Sequence, residues 1–170
     1  LQDFRRATQA AAILVLDEQG NVVASDGAQE EARAAPVLME AFERALATRE
    51  PQSSDIYFLP GAQQPLRLDI VAPLARIGAR HSGAVVLRID PRRQIYPMLR
   101  MQHGEEELSG ESILWRAQGD RVVAASDFNK RPESAGVLTF SLDEPRMLAA
   151  RAIRGDLPTN TLVQAQDYSG

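Results

Sequence analysis

The chain has 170 residues, 44% hydrophobic and 25% charged, enough to bury roughly 70% of its unfolded surface as one domain or two small modules, which excludes a large enzyme and a disordered tail. Its 19 Lys and Arg are dispersed among 23 Asp and Glu for a net charge of −4, with no basic run to track a phosphate backbone, so nucleic acid is excluded as an expected partner. The absence of cysteine excludes disulfides, thiolate zinc sites and cysteine nucleophiles, and no apolar run approaches the ~20 residues of a membrane-spanning helix.

The first stretch, LQDFRRATQAA, is helix-prone and shows no N-cap, so residues 1 to 12 read as the end of a helix that belongs to a longer chain. ILVLDEQGNVVASD, residues 13 to 26, sets two β-rich runs around Asp17 to Asn21, whose Gly and Asn supply the positive φ of a tight turn, and predicts a hairpin. Residues 36 to 48 place Val37, Leu38, Ala41, Phe42, Ala45 and Leu46 on one helical face behind Pro36 at the first helical position. Three strand-like runs follow at 54–60, 65–75 and 83–90 and read as an antiparallel meander. Asp90 and Pro91 supply an N-cap and first-turn proline for a helix that Pro97 should kink or end.

A polar connector, GEEELSG, leads into ILWRAQGDRVVAASD at 113 to 127, which nearly repeats the first hairpin, then a poorly patterned stretch and a helix around EPRMLAARAI. The tail TLVQAQDYSG reads as one more strand closed by a turn in which Asp167 and Tyr168 are structural. From Ile13 to Asp90 the first unit spends 78 residues, whereas only 58 run from Ile113 to Gly170. The expected organisation is therefore a helix end at 1–12, a first module at 13–103 and a truncated second module at 104–170, whose remaining strands lie beyond Gly170. The fold class is α+β, a PAS-like arrangement of five antiparallel strands with flanking helices and a helical crossover after the second strand.

Catalytic groups are sparse. His81 and His103 sit in expected loops, 22 positions apart, without a GxSxG, Walker or HExxH motif beside them, and neither lies on a heptad-patterned helix that would present a phosphoaccepting histidine. Glu105, Glu106 and Glu107 beside His103 could hold a cation, yet adjacent carboxylates in a connector read as solvated surface, so neither a metal nor a cofactor is expected. For binding, alternation in LRLDIVA sends Arg67, Asp69 and Val71 to one strand face and Leu66, Leu68 and Ile70 to the other, so Arg67 and Asp69 can pair as i and i+2 neighbours, and Tyr57 of the preceding strand can join them around a small polar ligand. The alternative is a surface salt bridge worth about 0–1 kcal/mol with Tyr57 closing the core. Trp115 either stacks on a ligand in the second module or fills its core.

PLRLDIVAPLA, GAVVLRIDPRRQIYPMLR, SGESILWRAQGDRVVAAS and QDYSG resemble, in that order, the periplasmic double-Cache (PAS-like) sensor segment of bacterial membrane-bound hybrid sensor histidine kinases and diguanylate cyclases. The resemblance spans 13 to 170 and departs from the family at Ser112, Trp115 and Ser169, where Thr, an aliphatic residue and Arg are usual, which puts in doubt any site built on that arginine. It implies an extracytoplasmic sensor that catalyses nothing itself, flanked in its parent by transmembrane helices. The parent would be a homodimeric membrane protein of a phosphorelay, a kinase or alternatively a cyclase, responding to a small-molecule ligand. A structural or dimerisation spacer without ligand is the competing expectation.

Overall fold

A computed structural model describes residues 1–27, 34–59, 66–74, 83–101, 111–128, 131–158 and 163, and the chain divides into two compact units, Leu1–Ile95 and Tyr96–Gly170. The fold is α+β with antiparallel sheets. His81, His103, the Glu105 to Glu107 run, the expected module boundary at 103/104 and the QDYSG turn lie outside the described residues.

In the first unit, α1 (Gln2–Thr8) ends on Gln9 in the left-handed region and is tied to the sheet by an ion pair from Arg5 Nε to Asp26 Oδ2 at 2.8 Å. The hairpin forms from β1 (Ala12–Leu16) and β2 (Val22–Gly27). Its turn is held by the Asp17 carboxylate, whose Oδ1 accepts the Gln19 and Asn21 backbone N–H groups while Oδ2 accepts the Asn21 side-chain amide. Those bonds, the Asn21 side-chain amide foremost, hold the Asp17 carboxyl below the usual carboxylate range.

The amphipathic pattern becomes α2 (Pro36–Thr48), burying Leu38, Ala41, Phe42 and Ala45. These side chains pack with Leu14, Leu16, Val71, Ala84 and Val86 into one core, so α2 covers one face of the sheet. The long strands β5 (Leu66–Pro73) and β6 (Ala84–Ile89) pair antiparallel, and β6 also pairs with β1. After β6, Asp90 caps α3 (Pro91–Gln94) by accepting the Arg92 N–H at 3.0 Å. The helix breaks at Ile95 and restarts as α4 (Tyr96–Met101), because Pro97 has no N–H and its ring would meet the carbonyl of residue 93 in an unbroken helix.

The strand expected over 54–60 is instead two short edge pieces, β3 (Gln52–Ser53) and β4 (Tyr57–Phe58), both paired with β5. Ser53 stands opposite Ile70 and Tyr57 opposite Arg67, so the edge spends three residues where β5 spends two. The offset is a bulge. Ser54 bridges it by donating its N–H to the Asp69 carbonyl at 2.8 Å and accepting the Asp69 N–H on its hydroxyl at 2.9 Å. The larger sheet thus runs β2-β1-β6-β5-β3, with β4 beside β5.

The second hairpin does not extend this sheet. β7 (Trp115–Gln118), β8 (Arg121–Ala124) and β9 (Thr139–Ser141) form their own antiparallel sheet in that order. Val122, Ala124, Phe128 and Ala150 of α5 (Leu148–Ile153) are buried in this unit, and Tyr96 donates its hydroxyl to the Ala125 carbonyl at 2.6 Å. Among the described residues no helix is long and apolar enough to cross a membrane.

Gly83 enters β6 at φ +54°, where an added Cβ would lie 1.8 Å from the Leu16 carbonyl oxygen, whereas at Gly20, φ +79°, it would meet only the flexible Met39 side chain. Gly83→Ala should therefore lower the unfolding free energy by more than about 1 kcal/mol, and by more than Gly20→Ala, in urea titrations read by circular dichroism. The turn has its own signature. Because the Asp17 carboxyl titrates lower folded than unfolded, its stabilisation is present above the ordinary value of 3.8 and is lost as pH falls through the depressed one. Asn21→Ala should bring the Asp17 midpoint in an NMR titration up toward 3.8.

Candidate functional site

Asp69 and Val71 share a face of β5, as alternation requires, and that face is the one α2 covers. The Asp69 side chain is 0% exposed. A carboxylate stripped of water at that depth needs a cation and hydrogen-bond donors. They come from Arg88, the residue directly opposite on β6, whose side chain is 1% exposed. Arg88 Nε donates to Asp69 Oδ1 at 2.9 Å and Nη2 to Oδ2 at 3.1 Å, a two-pronged arrangement that matches the planar guanidinium to the planar carboxylate. The bulge aims Tyr57 at the same point, and its hydroxyl donates to Asp69 Oδ2 at 2.5 Å while accepting from Arg88 Nη2 at 3.0 Å.

Without the extra residue at 54–56, Ile56 rather than Tyr57 would stand opposite Arg67 and the tyrosine would point to the other face. The Ser54 hydroxyl that sustains the bulge is thus as much a part of the cluster's construction as the three side chains that meet in it.

Arg67 is not the partner of Asp69. Its side chain is 14% exposed, Nη1 donates to the Leu66 carbonyl at 2.8 Å, and Asp90 Oδ2 lies at 4.0 Å from the same nitrogen. Burial lowers the pKa of this guanidinium, with Asp90 opposing the shift and Arg88 adding to it. Two cations therefore flank Tyr57, one locked in the core on Asp69 and one at the margin beside Asp90. Trp115 belongs to the other unit, where its ring lies 5.6 Å from Phe128 and 5.9 Å from Phe140 in tilted contacts that make it a half-buried member of that core.

Tyr57 and Asp69 are thus brought together as the strand pattern suggests, Arg67 lies beside them, and Arg88 is the member that sequence reasoning missed. A signal for it existed: GAVVLRID carries one cation in an otherwise apolar strand, which requires a buried acid nearby. Which acid depends on the β5–β6 register, a tertiary property. Among the described residues no group of three or more His, Cys, Asp or Glu is arranged to hold a metal ion. Compared with family models, curated proteins and solved structures, the chain has no match in any of the three.

Removing one member of the cluster strands the others in the core, so Asp69→Asn or Arg88→Met should each cost about 3–5 kcal/mol in denaturant unfolding. The triple variant Tyr57→Phe, Asp69→Leu, Arg88→Met, which leaves no polar group behind, should recover most of that loss. A triple variant as unstable as the single ones would show that the cluster contributes net stability beyond mutual compensation.

Proposed function

We propose that the chain is an extracytoplasmic sensor segment of a bacterial membrane-bound signalling protein, its first unit a PAS-like module of the Cache type and its parent a hybrid sensor histidine kinase. A diguanylate cyclase parent is the alternative output. The observation that carries the reading is the strand order of the larger sheet. With β3 and β4 taken as one bulged edge, it runs second, first, fifth, fourth, third, with a helix crossing over between the second and third strands. A PAS-like module would have that strand order, and this supports the reading alongside the expectation drawn from LDIVAP and the segments after it.

In such a module the task is differential binding rather than chemistry. A ligand that prefers one of two receptor states by about 1–3 kcal/mol shifts output roughly 5- to 150-fold without any group in the module donating or accepting a proton. The residues proposed for that task in the first unit are Tyr57, Arg67 and Asp69, and of these Asp69 would have to be released from Arg88 to meet a ligand. Trp115 would serve only a ligand of the second unit.

A second reading has its own support. Tyr57, Asp69 and Arg88 already bond to one another inside the core, as they would in a spacer or dimerisation module that binds no small molecule. The two readings separate in a thermal-shift screen of the chain against small solutes, where a ligand at about 100 times its dissociation constant adds about 2.7 kcal/mol and raises the melting temperature. Uniformly flat results favour the spacer.

Location is tested independently. The chain has no cysteine, and Val137 is 74% exposed, so Val137→Cys in the full-length parent, otherwise cysteine-free, offers one accessible thiol. It should react with a membrane-impermeant maleimide in intact spheroplasts. Labelling only after lysis would place the segment in the cytoplasm and end the sensor reading proposed here.

A further inference from the structure

The helix α1 has little of its own to hold it together. It has 7 residues, its N-cap Leu1 makes no side-chain capping bond, and it buries none of its residues. An isolated helix shorter than roughly 12–15 residues is marginal in water, and most helices in proteins are sustained by a packed apolar face that α1 lacks. Its larger apolar side chains, Leu1 and Phe4, are 52% and 54% exposed. Asp3 in the first turn and Arg5 and Arg6 in the last suit the helix dipole, a weak contribution that salt screens.

What holds α1 is polar. Among the described residues, two side chains elsewhere in the first unit bond to the helix and its cap. Asp26 of β2 accepts from Arg5 Nε at 2.8 Å, and the Gln94 amide of α3 donates to the Thr8 carbonyl at 3.4 Å and the Gln9 carbonyl at 2.8 Å, filling acceptors that a helix leaves open at its C-terminus. The ion pair keeps 30% of the Arg5 side chain and 25% of the Asp26 side chain exposed, so dissolved ions reach it.

The chain also marks where release would stop. Gln9 lies in the left-handed region at φ 55°, and the Gln9 and Ala10 N–H groups turn back to the Arg6 and Arg5 carbonyls inside the helix. The next N–H, that of Ala11, bonds instead to the Arg88 carbonyl on β6 at 2.8 Å. Asp26 stands opposite Ile13, the neighbour in β1 of the core residue Leu14, and so lies on the sheet face away from α2. The core beneath α2 can therefore persist without α1.

We infer that α1 is a conditional helix, a strap that is folded while the Arg5 to Asp26 ion pair clasps it to β2 and is released by salt, with the boundary between strap and sheet at Ala10 and Ala11. The inference concerns the first unit by itself and goes beyond the sensor reading, so a maleimide result that ended that reading would leave the strap untouched.

The test is amide hydrogen exchange, read residue by residue by NMR on the whole chain at about 20 mM and about 500 mM sodium chloride, between which the screening length falls from roughly 20 Å to about 4 Å. Expected is that the Gln9 and Ala10 amides exchange at least about tenfold faster than Ala11, and that added salt speeds them a further two- to fivefold while Ala11 stays unchanged. Asp26→Asn should give the fast rates already at low salt and remove the salt dependence. Gln94→Ala should speed the same amides but keep it. Reversing the charges with Arg5→Glu and Asp26→Arg together should slow exchange again relative to Asp26→Asn.

Gln9 and Ala10 amides as well protected as Ala11, or indifferent to salt, would overturn the strap. Both results come from the unmutated chain, so a variant that fails to fold cannot obscure them.

Discussion

The two-pronged contact between Asp69 and Arg88 is the interaction on which the larger sheet depends. Both residues lie on the face that α2 covers, both are stripped of water, and neither is tolerable there without the other. Sliding β5 along β6 by one residue would turn one of these side chains to the opposite face of the sheet and leave the other charged and alone in the core. The pair therefore constrains register. Hydrophobic pairing is less discriminating, since Val71 opposite Val86 and Ile70 opposite Leu87 would find apolar neighbours in several alignments.

The constraint extends outward from the pair. Asp69 also engages the edge of the sheet twice, with its backbone through Ser54 and with its carboxylate through Tyr57, and these contacts explain why β3 and β4 are separate pieces. The extra residue in the edge is what lets one segment satisfy the Asp69 main chain with a serine and the Asp69 side chain with a tyrosine. On the other side, the Arg88 carbonyl accepts the Ala11 N–H at 2.8 Å just after α1, and the Gln94 amide donates to the Gln9 carbonyl at 2.8 Å. The chain entering the sheet is thus bonded to the end of β6, and the chain leaving β6 is bonded back to the entering one.

Arg67 and Arg88 show how one residue type takes two roles by position. On the central strand β6, Arg88 is held by a carboxylate and a phenol and is a structural element. Arg67, opposite the short edge strand, bonds to its own neighbour's carbonyl at the margin of the sheet and faces Asp90 at 4.0 Å.

The sequence alone was sufficient for the local elements. The Asp17 to Asn21 turn, α2 from Pro36 to Thr48 and the Asp90 cap with Pro91 are encoded by residues within a few positions of one another, so their signals survive without the rest of the fold. Alternation likewise put Asp69 and Arg67 on one face of β5. What it could not decide was which partner each would have, because that depends on residues 19 and 12 positions away and on a bulge that no local pattern announces.

The repeated hairpin makes the same point. In the first unit its leading strand, β1, is buried between β2 and β6, and β2 is the exposed edge. In the second the trailing strand, β8, is the buried one, between β7 and β9. Similar sequence determined two hairpins because a turn is a local bargain between backbone and side chain. Which strand of each is interior was decided only in the tertiary structure, by the strand that came from elsewhere in the chain to pair with it.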